Sequence, residues 1–504
     1  MEDLLFGFSI ALSANALLYC AFGVTMGTAI GVLPGIGSLA AVSMLLPVSF
    51  YLDPTHAIIM LAGVYYGAEY GGSTASILLN LPGTPSNAVT CLDGYPMAQQ
   101  GRGGVALFTT TIASFLGGCT GILVLMFLTP AVIALSMKFG AAEYFAVILV
   151  GLLAAGTVTE GRPIKGLCMV VLGLLLGTVG SDISSGTVRY AFGSIHLYDG
   201  ISLIALAMGL FGVSEVISSI RNSGGSRKVE RVPFRSMVPT QEDVRRSRFP
   251  MLRGAGIGSV LGALPGTGPL LASFMSYLLE KRIAREPERF GKGAIEGIAG
   301  PESANNAAVQ TAFVPTLSMG IPGSATTAVL LGAMMIHGIN PGPRLMTEHP
   351  DLFWGVIASF WVGNLMLLVL NIPFIGVWVS ILRVPYRLLY PGILCFICIG
   401  VFSVNYSVFD VFSVLVIGVI GYGLRLLDFH PAPLLIGFIL GPMLEEYFRR
   451  AMLLARGDFM VILTRPISGT IMLIGLLLLL YAMWSSSRKR KAGAASSLDA
   501  DPAD

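Results

Sequence analysis

The chain has 504 residues, of which 54% are hydrophobic and 12% charged, with a mean hydropathy of +0.78 and a formal net charge of +3. Soluble domains carry about 25% charged residues, so this composition excludes an ordinary soluble enzyme, a disordered chain and a disulfide scaffold. The small net charge gives no footing for nucleic acid. At roughly 20 apolar residues per crossing, the length accommodates about 10–12 transmembrane helices.

In chain order, apolar runs fall at 4–31, 36–52, 55–81, 103–136, 141–159, 164–180 and 200–219, then at 251–279, 293–336, 353–382, 390–407, 409–425, 432–446 and 467–484. Several are too long or too short for one simple crossing. The first run follows Met-Glu-Asp without the positive flank of a cleavable signal, so it is expected to stay as a membrane segment. The polar stretch 220–249 divides the chain into a first membrane repeat, 1–219, and a second, 250–485, and residues 486–504 form a tail expected to be disordered. Of the 31 Lys and Arg, nine lie between Arg221 and Arg253, five between Lys281 and Lys292, and four at 488–491. Positive segments stay cytoplasmic, which puts linker and tail inside; Arg449, Arg450, Arg456 and Arg465 would then fall outside, against the charge rule, and the exact number of crossings stays open.

The halves repeat each other. Residues 23–37, GVTMGTAIGVLPGIG, align without gaps on 254–268, GAGIGSVLGALPGTG, and Asn80–Val89 aligns on Gly320–Val329. The offset grows from 231 residues (Gly23 to Gly254) to 240 (Asn80 to Gly320), so the second half carries an insertion between its blocks. Residues 250–279 have basic loops at both ends and are too short for two crossings, which describes a re-entrant hairpin. Their counterpart around Pro34 is flanked by Glu2, Asp3 and Asp53, as entry from the opposite side requires. The fold class expected is therefore an all-α polytopic membrane protein with re-entrant hairpins and two inverted-topology repeats.

Glycine makes up about 12% of the chain, 62 residues, against roughly 7% in an average protein. Ladders at i, i+4, i+8 let helix backbones approach closely. Packing does not explain the four Pro-Gly breaks, Pro34-Gly35, Pro82-Gly83, Pro265-Gly266 and Pro322-Gly323. Irregular backbone at membrane depth is tolerated only inside protein or along a water-filled cavity. Paired breaks in two halves point to a transporter's substrate site. The free N–H groups and the dipole at the start of each second half-helix favour an anion.

The candidate substrate-binding residues are accordingly Gly35, Ile36, Gly37, Pro82, Gly83, Thr84, Ser86 and Asn87 in the first half, with Gly266, Thr267, Gly268, Pro322, Gly323, Ser324, Thr326 and Thr327 in the second. The hydroxyls and amide among them have a plain second reading as helix caps, and the two roles are compatible. Glu69 and Glu302 occupy similar places ahead of the second breaks and are candidates for ion or proton coupling, because an ionisable group at such depth is a functional hypothesis by default. Asn305 and Asn306 join them. Sodium, if used, would meet backbone carbonyls at Pro34, Gly35, Pro265 and Gly266.

Enzyme motifs fail on inspection. Gly35-Ile-Gly37-Ser-Leu-Ala40 matches a dinucleotide fingerprint but has no βαβ surroundings. Gly291-Lys292 is followed by Gly293 rather than the Ser or Thr of a phosphate loop, and the five His are never paired as zinc ligands. Cys395 and Cys398 share CxxC spacing inside an apolar helix, where one buried face is the simpler reading.

The blocks GVLPGIG at 31–37, LAGVYYGAEYGGSTASILLNLPGTPSNAVTCLDGYPMAQQGRGG at 61–104, FGKGAIEGIAGPESANNAA at 290–308 and LSMGIPGSATTAVLLGAMMIHGINPGP at 317–343 resemble the large membrane subunit of tripartite tricarboxylate transporters, the TctA family. Ile36 and Val309-Gln310-Thr311 depart from the family's usual residues there, and Gln310 and Thr311 bear on substrate choice. The resemblance implies a non-enzymatic secondary importer of carboxylates, a symporter driven by a Na⁺ or H⁺ gradient and needing no cofactor, in the bacterial inner membrane. It also implies two partners, a small membrane subunit of about four spans and a periplasmic solute-binding protein. A channel or a structural subunit of a membrane complex are the rival readings.

Overall fold

Backbone approach at glycine decides how the long helices pack. The computed structural model describes residues 2–158, 163–182, 185–222, 233–266, 268–382, 384 and 386–480. The first half contributes α1 (Glu2–Ala11), α2 (Ala14–Gly31), α3 (Gly37–Ser49), α4 (Pro54–Leu79), α5 (Ala88–Met97), α6 (Gly103–Ser136), α7 (Ala141–Val158), α8 (Pro163–Gly177), α9 (Leu203–Ala207) and α10 (Ser214–Asn222). The second contributes α11 (Gln241–Gly262), α12 (Gly268–Ile283), α13 (Glu296–Thr311), α14 (Phe313–Met319), α15 (Ala325–Ile336), α16 (Leu345–Glu348), α17 (Pro350–Asn371), α18 (Ile375–Ile381), α19 (Tyr386–Asn405), α20 (Val408–Leu426), α21 (Ala432–Leu454) and α22 (Val461–Thr464). The only strands among the described residues are Gly180–Ser181 and Val188–Arg189, one short ribbon. The all-α polytopic class is thus what the chain adopts. Ala14–Gly31, Pro85–Ser136, Pro350–Asn371 and Val408–Leu426 are long and apolar enough to cross a membrane singly, and shorter apolar helices accompany them. The tail from 481 onward and linker residues 223–232 lie outside the described residues, and the last part of the linker is already helical in α11.

Both halves build the same core. In the first, a Cβ on Gly23, Gly27 or Gly31 of α2 would strike the carbonyl oxygens of Met60, Val64 and Ala68 on α4; in the second, Gly254, Gly258 and Gly262 of α11 meet Gly300, Ala304 and Ala308 on α13 in the same way. Each hairpin then turns back through α3 or α12 along the same long helix. Local signals set the ends. Ser13 caps α2, Asp53 caps α4 ahead of Pro54, and Thr240 with Asp243 forms a capping box on α11. Asn80 and Gly320, matched by the repeat, both end their helices in the left-handed region (φ 57° and 69°), where Asn and Gly are tolerated best.

The halves also exchange helices. α6 packs on α13, and α17 packs on α4. Gly117 and Gly121 of α6 face the carbonyls of Ser303 and Ala307, so glycines grip α13 on two sides.

The compact units do not follow the sequence halves. One comprises residues 1–137 and 202–423, the other 138–201 and 424–504, so each draws a segment from both halves. In the second unit, α21 packs on α7 and α8, with Gly173 against Leu434 and Gly437 against Val170. Arg449 pairs there with Asp182 (2.9 Å) and Glu445 (2.6 Å), and Arg465 with Glu143 (2.9 Å).

A ladder contact leaves no room for a side chain. Gly258→Leu should therefore lower stability by about 1–3 kcal/mol, read as a lower melting temperature in detergent. Gly256→Ala, with nothing within 4 Å of its Cβ, should leave the melting temperature unchanged or raise it.

Candidate functional site

Within each half the hairpin tip meets the next break. Gly35 N donates to Pro82 O at 3.3 Å, and Gly266 N donates to Gly323 O at 3.2 Å. Gly35, Gly37, Gly266 and Gly268 all hold positive φ, 86°, 75°, 80° and 62°, which L side chains rarely adopt. A Cβ on Gly83 would strike the Gly31 carbonyl and the Gly72 backbone, and one on Gly323 would lie 2.7 Å from Ala312 O. Across the halves, α3 packs on α15 and α12 packs on Pro85–Asn87. Ser38 Oγ lies 3.5 Å from Thr326 Oγ1, and Tyr65 OH 3.2 Å from Ser324 Oγ. This reciprocal seam is what a two-fold relation between repeats produces.

The two carboxylates sit on this seam. Glu69 is 3% exposed and Glu302 1%. Glu69 Oε1 accepts from Ser38 Oγ (2.6 Å), and its Oε2 accepts from Thr84 Oγ1 (2.9 Å), Ser86 Oγ (2.5 Å) and Asn305 Nδ2 (3.2 Å). Glu302 Oε1 accepts from Asn87 Nδ2 (3.0 Å) and Thr90 Oγ1 (2.5 Å), and its Oε2 accepts from Ser114 Oγ at 3.4 Å. Thr84 Oγ1 also lies 2.6 Å from Asn87 Oδ1. Thr84 and Asn87 therefore link the two carboxylates through neutral groups.

Every donor to these carboxylates is uncharged, and neither Glu forms an ion pair among the described residues. Withdrawing an ionised carboxylate from water costs several kcal/mol even after relaxation, and a second one nearby adds repulsion. Such a pair attracts positive charge. Acceptors for it are at hand: the side-chain carbonyl oxygens of Asn305 and Asn306 are buried with no protein partner, while the amides of the same side chains reach Glu69 and Ser114. Asn306 Nδ2 donates to Ser114 Oγ at 2.8 Å and to Glu302 O at 3.1 Å, which turns its carbonyl oxygen away from both.

Thr84, Ser86, Asn87, Glu69, Glu302, Asn305 and Asn306 thus come together in one network. Ser324 and Thr327 instead cap α15, with Thr327 N donating to Ser324 Oγ (3.2 Å) and Ser324 N to Thr327 Oγ1 (2.8 Å). Thr326 remains at the seam, and Thr267 lies outside the described residues. The amides of Gly35 and Gly266, expected to be open to an anion, are occupied by the neighbouring breaks. Glu69 and Glu302 are not repeat counterparts either. The ladders pair Ala68 with Ala308, so Glu69 matches Val309 and Glu302 matches Ala62. Ser38, Tyr65, Thr90 and Ser114 join the site without a local signal, apart from being polar residues inside apolar helices.

The chain matches the sequence profile of the tripartite tricarboxylate transporter TctA family over residues 17–436. An Agrobacterium vitis protein described as an uncharacterized 52.8 kDa protein in the TAR-I ttuC' 3' region is 48% identical over 491 residues, 97% of this chain and 98% of its own length. A second, described as an uncharacterized protein in the TAR-II ttuC' 3' region of the same organism, is 51% identical over 234 residues, 46% of this chain and 97% of its own. No solved structure matches.

Capping and site roles separate by substitution. Ser324→Ala should lower stability by about 1 kcal/mol, seen as a drop in melting temperature, whereas Thr326→Ala, outside the cap, should leave melting unchanged.

Proposed function

We propose, because this chain belongs to the tripartite tricarboxylate transporter TctA family, that it is the membrane subunit of a secondary importer in which a cation or proton neutralises Glu69 and Glu302 before a carboxylate substrate enters. One observation carries this reading: two buried carboxylates share a network of neutral donors. A substrate carboxylate brought beside them adds a third negative charge in a medium where such repulsion is strong. Positive charge supplied by a downhill ion removes the repulsion. Substrate and ion then occupy the site together or not at all, which is the condition for symport.

In this reading Thr84, Ser86 and Asn87 change partners as the carboxylates are neutralised, and their hydroxyls and amide turn to the substrate. Thr326, Ser38 and Tyr65 face them from the seam. Ile36, Gly37 and Gly268 shape the hairpin tips, where sodium at the backbone of Pro34, Gly35, Pro265 and Gly266 is the alternative ion position. The direct-contact role of Ser324 and Thr327 is secondary to their caps. The charge asymmetry flanking the hairpins supports inverted repeats, one hairpin entering from each side of a bacterial inner membrane. A periplasmic binding protein delivering substrate and a small membrane subunit complete the assembly, as the family description implies.

The complex reconstituted in liposomes tests this. Saturable carboxylate uptake should require an inward Na⁺ or H⁺ gradient and the binding protein; flux without a gradient would favour a channel. Glu69→Gln and Glu302→Gln should each reduce gradient-driven uptake at least tenfold while protein remains in the membrane, and unchanged uptake in both variants would remove the carboxylates from the mechanism.

A further inference from the structure

The nine-residue difference between the repeat offsets has a location. The ladders are already matched at 240 residues by Met60 and Gly300, so the insertion lies between the hairpin and the long helix of the second half. In the first half α3 and α4 are joined by residues 50–53, while in the second α12 and α13 are joined by 284–295. This longer loop is held rigidly. Asp93, fully buried on α5, accepts from Gly291 N (2.9 Å), Gly293 N (2.9 Å) and Ala294 N (2.8 Å) through Oδ1, and from Tyr277 OH (3.1 Å) through Oδ2. Gly291 and Gly293 take the positive φ, 85° and 102°, that presents those amides. The repeat partner of Asp93 is Ala333, in the half whose α15 has no such loop to hold.

The loop walls a pocket of about 960 Å³ against the start of α11 and the end of α12. Its four carboxylates are already taken. Arg246 pairs with Glu242 (2.7 Å), Glu286 (3.3 Å) and Glu296 (3.4 Å), Arg289 pairs with Glu286 (3.3 Å), and Arg253 pairs with Glu280 (2.6 Å). Arg245, Arg248 and Arg285 line the same pocket and make no ion pair among the described residues. The pocket lining therefore carries six arginines against four glutamates, a surplus of positive charge. Its rim is apolar and outward-facing: Phe249 is 53% exposed and Ile283 47%, and beside them on the same two helices Leu252 is 63% and Leu278 57% exposed. A site for a soluble anion has no use for that rim, whereas acyl chains need it.

We propose that this pocket seats the phosphate headgroup of an anionic phospholipid, with Arg245, Arg248 and Arg285 on the phosphate and the acyl chains along Phe249, Leu252 and Leu278. Guanidinium forks match phosphate oxygens, and the charge rule places this face of the chain in the cytoplasm, at the leaflet where anionic headgroups attract Arg and Lys. The full chain, purified in detergent, is offered phosphatidylglycerol or phosphatidylcholine at equal mole fraction, and retained lipid is counted by native mass spectrometry. Phosphatidylglycerol should be retained preferentially. The double variant Arg245→Gln/Arg285→Gln should weaken that retention roughly 25-fold, about fivefold per arginine at about 1 kcal/mol each. Arg344→Gln, a surface arginine elsewhere, should leave it unchanged, and Arg245→Lys/Arg285→Lys should keep most of it, which decides the matter even if the glutamine variant folds poorly. Equal retention of both lipids by the unaltered chain overturns the proposal. Displacement of phosphatidylglycerol by millimolar glycerol 1-phosphate or inorganic phosphate would reassign the pocket to a soluble anion.

Discussion

Glycine on α2 and α11 sets the rotation of the two helices that carry the chemistry. Where a Cβ would collide with a carbonyl oxygen, the partner helix can be neither shifted nor turned, so α4 and α13 each present one fixed stripe to the ladder and another to the interior. Ala68 faces the ladder, and Glu69, one residue on, is rotated about 100° away into the seam. Asn305 follows the ladder contact Ala304 in the same manner and reaches Glu69 at 3.2 Å. The glycines of α6 hold the far side of α13, so Glu302 and Asn306 are confined beside Ser114. The polar network is thus a product of packing geometry, and short hydroxyl and amide side chains suffice to reach its two carboxylates.

The two halves repeat the same ladder and hairpin contacts, but the chemistry on them differs. Both halves place a hairpin tip on the following break by one backbone hydrogen bond, at nearly equal distance. After that break the halves diverge. Thr84, Ser86 and Asn87 turn toward the carboxylates, whereas Ser324 and Thr327 close a capping box on their own helix. Even the carboxylates occupy unmatched positions, so a duplicated frame supports one composite site.

Much of this was readable from residue order. Helical class follows from composition, and the ladders and Pro-Gly breaks appear at the spacing needed for close contact and interruption. Glu69, Glu302, Asn305 and Asn306 stood out because polar groups are rare in such runs. What residue order concealed depends on tertiary approach. The tip amides looked free because the partners of Gly35 and Gly266, Pro82 O and Gly323 O, lie about 50 residues away in sequence. Ser38, Tyr65 and Ser114 gain a role only when α3 meets α15 and α6 meets α13. The like placement of Glu69 and Glu302 ahead of the second breaks also hid the fact that Glu69 answers to Val309. Compact units built from exchanged segments are invisible to any reading that cuts the chain at its linker.

The dependence of substrate on positive charge is open to an equilibrium measurement that needs no gradient. Carboxylate affinity of the purified chain, measured by calorimetry across a range of Na⁺ concentrations and of pH, should rise with one of the two ions with a log–log slope of about one or more, because substrate and ion stabilise each other's binding. An affinity flat in both Na⁺ and H⁺ would contradict a site governed by Glu69 and Glu302.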